Sequence, residues 1–291
     1  MNLKKTNFTN ILGWSISRYD KFLICKRKYF YDYYSKFDST LPFEKLQFLK
    51  NLTSKHLIIG NIVHEVISDI LKRYQIRTEP ININKFLKYL FNITNKNYTT
   101  KVFFEHYYNN KTIEIDEIYK KICYISKNFI NSEKFSWIKE SALTKKSEWI
   151  IEPLWLGETI INNYKIFCKV DFLFHINDKI HIIDWKTGKQ DLKKHKRQLI
   201  GYTLWANYKY NKKAINIVPS IVYLYPKIEE KTVNITDSLI NKFKNKIKIE
   251  TINMYDYLID INKNIPKDKE EFELTNNKFF CKYCNYKEIC V

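Results

Sequence analysis

The chain has 291 residues, of which 45% are hydrophobic and only five are glycine, a composition that supports a sizeable core and excludes collagen-like, linker-rich and disordered chains. Its formal net charge of +19 favours a polyanion such as DNA over a membrane or protein partner, although only five of the 50 basic residues are arginine and the excess of Lys, Asn, Ile and Tyr is what an AT-biased genome imposes on any protein. No run of about 18 apolar residues occurs and the segment MNLKKTNFTNILGWS has no apolar core, so neither a membrane span nor a signal peptide is expected and a cytoplasmic location is the default.

In chain order, Ser15 to Tyr34 opens with capping serines and sets Tyr19, Phe22 and Leu23 at helical spacing, which predicts a helix with Cys25 on it or just beyond. A second helix is expected after Gly60, where Ile62, Val63, Val66, Ile67, Ile70 and Leu71 form an apolar stripe that also carries His64. Residues 83–95 and 112–131 read as further helices with a break near Pro80, so the first 140 or so residues are mainly helical. The pattern changes near Trp149. Segments 147–155, 165–176 and 179–186 are short runs rich in Ile, Val, Phe and Trp and read as strands. A helix over 191–209, a buried strand over 217–225 and a Lys-rich helix over 236–262 follow, and a loop leads to Cys281, Cys284 and Cys290. No repeat or low-complexity linker separates these parts, which favours one mixed α/β unit.

The stretch from Cys168 to Lys189 carries the chemistry. Asn177-Asp178 between two β-type runs resembles a two-residue hairpin loop. In that register Asp171 faces Asp184, and opposed carboxylates destabilise a sheet unless a cation offsets them. Two aspartates with a backbone carbonyl such as that of Trp185 suit Mg²⁺ or Mn²⁺. Lys186, two residues past Asp184, falls on the same strand face. Such a site can hydrolyse a phosphodiester: the metal polarises the phosphate and acidifies water, Lys186 orients the hydroxide, and in-line attack leaves a 5′ phosphate. An isolated D-x-K is more often a solvated strand end, and the hairpin, the opposed Asp171 and the flanking apolar strands set this one apart. Glu148 and Glu152, just upstream on a strand, are candidates for an auxiliary acidic role, with ordinary exposed carboxylates as the favoured reading.

Asp171 followed by Asp184-Trp185-Lys186-Thr187-Gly188 resembles the D…(D/E)-x-K-T-G core of PD-(D/E)XK nucleases, in particular the RecB-like branch that includes the AddB nuclease domain and the four-cysteine CRISPR-associated adaptation nucleases. Gly60-Asn-Ile-Val-His64 is similar to that branch's G-x-x-x-H helix, and Gln198-Leu-Ile-Gly-Tyr202 to its Q-x-x-x-Y motif. Ser15 to Tyr29 resembles its amino-terminal signature, except that Lys26 stands where proline usually follows the cysteine. The resemblance covers about Ser15–Ile70, Glu148–Tyr225 and the last eleven residues, and leaves 72–147 unexplained.

It implies a restriction-endonuclease-like mixed sheet flanked by helices, in one domain over 1–291: a helical part with the His motif to 146, the catalytic sheet and helices over 147–262, and a cysteine loop over 263–291. It further implies that His64 joins the metal site and that Gln198 and Tyr202 contact DNA or support that site. Cys281, Cys284 and Cys290 need a fourth ligand, for which Cys25 is the candidate; four cysteines bind a 4Fe-4S cluster, as in the resembling branch, or zinc. Cys123 and Cys168 read as small apolar residues, and Tyr29, Phe30 and Tyr31 as core rather than base-stacking rings. The functional expectation is a metal-dependent DNA exonuclease working on ends or single strands in repair, recombination or related processing, with a helicase as a conceivable partner. The alternatives are a catalytically silent nuclease-fold subunit that grips DNA for a helicase, and a zinc-clasped RNA-binding protein.

Overall fold

The computed structural model describes residues 10–141, 143–153 and 158–290; residues 1–9 and the end of the predicted 147–155 strand lie outside them. In chain order the elements are α1 (Ile16–Ile24), α2 (Lys26–Tyr34), α3 (Phe43–Lys50), α4 (Lys55–Ile76), α5 (Ile83–Thr99), α6 (Phe104–Asn109), α7 (Ile115–Ile130), α8 (Glu133–Ser141), β1 (Ile150–Ile151), β2 (Glu158–Ile161), β3 (Tyr164–Phe167), β4 (Phe172–Ile176), β5 (Lys179–Lys186), α9 (Leu192–Tyr210), β6 (Ile217–Tyr223), β7 (Glu229–Thr232), α10 (Asp237–Tyr255), β8 (Leu258–Asp260), β9 (Ile265–Pro266) and α11 (Lys278–Lys282). They fall into two compact units, one drawn from 10–52, 158–168 and 241–290, the other from 53–153 and 169–240.

The second unit is built on a five-stranded mixed sheet in the order β1-β4-β5-β6-β7. Only β5 and β6 run parallel, and α9 makes the crossover between them, as a parallel pair requires. β5 is buried from Ile182 through Trp185, which is why it reads as a continuous apolar run rather than an alternating one. Its two faces are covered differently. Trp185 meets Phe129 of α7 edge-on at 5.3 Å, whereas Asp184 is held from α9. α4, α5 and α7 bury Ile62, Val66, Leu71, Leu90, Ile122 and Ile125 in one core with Phe172 and Phe174 of the sheet. The segment 72–147, which carried no motif, thus supplies α5, α7 and α8, the helical layer behind the site.

In the first unit, α1 and α2 pack with the β2–β3 hairpin and the carboxyl-terminal segment. Trp14 bonds in parallel to β3, with Trp14 N–H donating to Lys165 O at 2.8 Å, and its indole donates to Glu250 at 2.9 Å. A Cβ at Gly13 would lie 2.0 Å from the Phe167 ring, so any other residue there requires that ring to shift. Tyr29, Phe30 and Tyr31 are buried, in keeping with a core role.

Several boundaries differ from expectation. The helix opening at Ser15 ends at Cys25, just beyond it as expected, but a second helix follows at once and Cys25 caps both: its N–H donates to Lys21 O and its Sγ accepts Lys28 N–H. The helix expected after Gly60 begins a turn earlier, at Lys55, because Ser54 accepts Leu57 N–H as its N-cap. The 165–176 strand is interrupted, and its first part turns at Asn162 and Asn163 (φ 50 and 66) into β2. The helix read to 262 stops at Tyr255 and is followed by the β8–β9 pair.

Candidate active site

The β4–β5 hairpin sets the frame. Asn177 at its turn takes φ 52, a left-handed conformation that asparagine tolerates, and the ladder pairs Ile176 with Lys179 and Phe172 with Ile183. One step further along this register Asp171 stands opposite Asp184, as the two-residue turn predicts. Asp171 lies just past the end of the ladder, free to turn its carboxylate inward, and its Oδ2 accepts Trp185 N–H at 2.9 Å. Because a strand residue's N–H and C=O face the same edge, the Trp185 carbonyl looks to that side as well.

Helix α4 brings the imidazole. His64 Nδ1 lies 3.5 Å from Asp171 Oδ2 and 3.6 Å from Glu152 Oε1. Gly60 is one turn earlier on the same helix face, and a Cβ there would sit 3.3 Å from Thr187 Oγ1. The missing side chain lets α4 come close to the turn that follows β5.

Helix α9 supplies the support. Tyr202 donates to Asp184 Oδ1 at 2.6 Å and Gln198 Nε2 to the same oxygen at 2.9 Å, with Gln198 also 2.5 Å from the Tyr202 hydroxyl. The other oxygen, Oδ2, pairs with Lys186 Nζ. Both members of the Gln198–Tyr202 motif therefore fix the orientation of a carboxylate that is 1% exposed.

Glu152 was read as an ordinary carboxylate, and the structure corrects this: His64, Glu152 and Asp171 offer ligand atoms that all lie within 4.8 Å of one another. Glu152 follows β1 with φ 38, a strained value for a side-chain-bearing residue that clusters at functional sites. Its N–H donates to Asp171 O at 2.9 Å, and its carboxylate also meets Lys169 at 3.5 Å. The signal available in the sequence was an acidic residue followed by Pro153 at a strand end. Glu148 faces His175 instead, at 3.6 Å.

The electrostatics follow from crowding. Burial disfavours charge on His64, but hydrogen bonding to Asp171 and Glu152 and the charges of Asp171 and Asp184 outweigh it and raise its pKa to about 10. Burial and the Asp171 charge push Asp184 up to about 6 against the pull of Lys186. Asp171 is also opposed by burial, yet His64 and the Trp185 N–H hold it below the usual carboxylate range, and His64 lowers Glu152 likewise. Carboxylate oxygens with one imidazole are a donor set that fits Mg²⁺ or Mn²⁺.

The four cysteines of interest belong to the other unit. All are half-buried. Burial and the neighbouring Cys284, Cys25 and Cys281 push the Cys290 thiol up to about 12, and Cys284 is raised by burial with Cys25 contributing. The early cysteine and the three late ones are thus close enough to oppose one another's ionisation. Cys168 is buried and Cys123 half-buried.

The model of the PD-(D/E)XK nuclease superfamily matches residues 13–291. No curated protein matches the chain significantly. Among solved structures, one described as "Crystal structure of SSO0001" is similar over 79% of this chain and 95% of its own, at 18% identity and a TM-score of 0.29.

Proposed function

The chain belongs to the PD-(D/E)XK nuclease superfamily, whose members are metal-dependent phosphodiester hydrolases, and from that premise we propose that it is a deoxyribonuclease with its active site at His64, Glu152, Asp171, Asp184 and Lys186. The observation that carries the assignment is the convergence of an imidazole and three carboxylates beside a lysine, with two of the four groups far from their ordinary pKa.

His64, Glu152, Asp171, Asp184 and the Trp185 carbonyl would hold Mg²⁺ or Mn²⁺. Bound there, the ion polarises the phosphate and acidifies the attacking water. Gln198 and Tyr202 keep Asp184 Oδ1 fixed, so Oδ2 stays turned to Lys186. Lys186 then orients the nucleophile and offsets the charge that builds on the phosphate oxygens. Attack in line with the 3′ oxygen leaves a 5′ phosphate. Action on DNA ends or single strands, in repair, recombination or related processing and with a helicase in trans, extends the reading and is supported by the RecB-like motifs. A cytoplasmic location agrees with it, and no described helix is long and apolar enough to cross a membrane.

We assign a 4Fe-4S cluster to Cys25, Cys281, Cys284 and Cys290, with zinc as the chemical rival. The RecB-like spacing of the four cysteines supports this assignment and favours iron–sulfur.

Incubation of anaerobically purified protein with end-labelled single- and double-stranded DNA, with Mg²⁺, Mn²⁺ or chelator, tests the assignment. The expected result is metal-dependent cleavage that Asp184→Ala abolishes. Metal-independent binding without cutting would mark the chain as a silent DNA-binding subunit.

A further inference from the structure

His195 has no role in the site as derived so far, yet it lies on the working face of α9. His195, Gln198 and Tyr202 are spaced i, i+3 and i+7, so they share one stripe of the helix, and the latter two both donate to Asp184. One turn toward the amino end of that stripe, His195 Nδ1 is 2.9 Å from the Tyr223 hydroxyl. Tyr223 is the β6 partner of Lys186 in the parallel ladder, and paired residues point their side chains to the same face. His195 is therefore tethered to the residue that stands beside the lysine.

Hydrogen-bond satisfaction assigns the proton positions on this pair. The Tyr223 oxygen already accepts Asp191 N–H at 3.2 Å, and the residue is fully buried. Its own proton needs an acceptor, and among the described residues the one within reach is His195 Nδ1. The imidazole accepts at Nδ1 and carries its proton on Nε2, a nitrogen with no hydrogen bond among the described residues. Burial, together with the charges of Lys186 and Lys194, lowers the pKa of His195, which favours the neutral ring.

We propose that His195 is a further catalytic residue: its Nε2–H donates a hydrogen bond to a non-bridging oxygen of the scissile phosphate next to the oxygen held by Lys186, and Tyr223 is the positioning residue that fixes the tautomer. No proton is transferred; the imidazole acts as a preorganised dipole aimed where charge develops. The proposal rests on the nuclease reading of the same site.

The test measures kcat and KM for metal-dependent cleavage of a labelled single strand by the wild type, His195→Leu, His195→Gln and Tyr223→Phe, with thermal melts to verify folding. Leucine should lower kcat by about 100-fold, the usual loss of one preorganised donor, while KM moves by less than about threefold, as for an interaction made in the transition state. Glutamine, whose amide reaches the Nε2 position, should recover roughly a tenth of the wild-type rate or more. Tyr223→Phe should lower kcat by a smaller factor and leave KM unchanged. Sulfur in place of the contacted phosphate oxygen should slow the wild type more than His195→Leu, because the leucine variant has no hydrogen bond to lose. A folded leucine variant with wild-type kcat, or equal thio effects in the two proteins, would overturn the role of His195 and leave the nuclease reading standing. No metal-dependent cleavage by the wild type would sink both.

Discussion

At the scale of single residues, the site is a place where like charges have been gathered and a cation or proton must hold them together. The surrounding carboxylates raise His64 to about 10, which favours the imidazolium at neutral pH. A metal needs the neutral ring. Binding Mg²⁺ or Mn²⁺ near pH 7.5 should therefore release about one proton per ion, measurable as the dependence of calorimetric enthalpy on buffer ionisation heat, and His64→Ala should abolish the release. Below about pH 6, where Asp184 also takes up a proton, metal affinity should fall more steeply. A release near zero in the wild type would remove His64 from the ligand set. Asp171, Asp184 and Lys186 were legible in the sequence because strand alternation and a two-residue turn fix which side chains oppose each other. Glu152 was not, since its place depends on a left-handed backbone conformation after a strand of only two residues, and no periodicity encodes that.

At the scale of elements, the site depends on how near α4 lies to the end of β5. Gly60 meets Thr187 across that approach, where even a methyl group would be in tight contact. Gly60→Val should push the helix outward, carry His64 away from Asp171 and lower kcat by about 10- to 100-fold, since displacements near 1 Å cost catalysis on that order. The melting curve, read alongside, should shift by less than the activity. The opposite face of β5 carries a separate pH dependence. His181 stacks on Phe174 at 5.3 Å and meets Trp137 at 5.5 Å; burial, then the charge of Lys134, lowers its pKa to about 4. Between that value and the unfolded value of about 6.5 the unfolded chain binds more protons, so stability is lost as pH falls through this window. His181→Phe keeps the stacking and has nothing to titrate. Its urea midpoint should decline less than the wild type's between about pH 7 and 5, and parallel declines would refute the role. Helix existence was read correctly along most of the chain because apolar stripes report it. Boundaries failed where a side-chain cap decides them, as at Ser54, or where an apolar run is broken, as the 165–176 strand is between Phe167 and Phe172.

At the scale of the whole molecule, the proposed reading gives the chain two separate pieces of metal chemistry, one in each compact unit, with different consequences on removal. Carboxylates and an imidazole can lose a divalent ion and keep their fold, because His64 takes a proton and the sheet stays intact. The cysteine site has no such substitute. Cys25 sits between two short helices of nine residues each, and Cys281, Cys284 and Cys290 lie in a segment whose regular structure is one five-residue helix. Local contacts hold that segment at a few points: Tyr286 donates to Asp32 at 2.8 Å, Asn285 to Leu52 O at 2.9 Å, and Arg27 Nε to Phe272 O at 3.0 Å. A cluster bound by all four thiolates would add its binding free energy directly to folding of this unit. Cys25→Ser should then lower the melting midpoint by about 10 °C or more, which at 2–4 °C per kcal/mol corresponds to about 3–5 kcal/mol, and strip the protein of iron and its brown absorbance. Asp184→Ala should leave both unchanged while abolishing cleavage. A Cys25→Ser protein that kept its melting midpoint and its metal content would show that the four cysteines do not share a site; bound zinc with no iron would keep the clasp and replace the cluster.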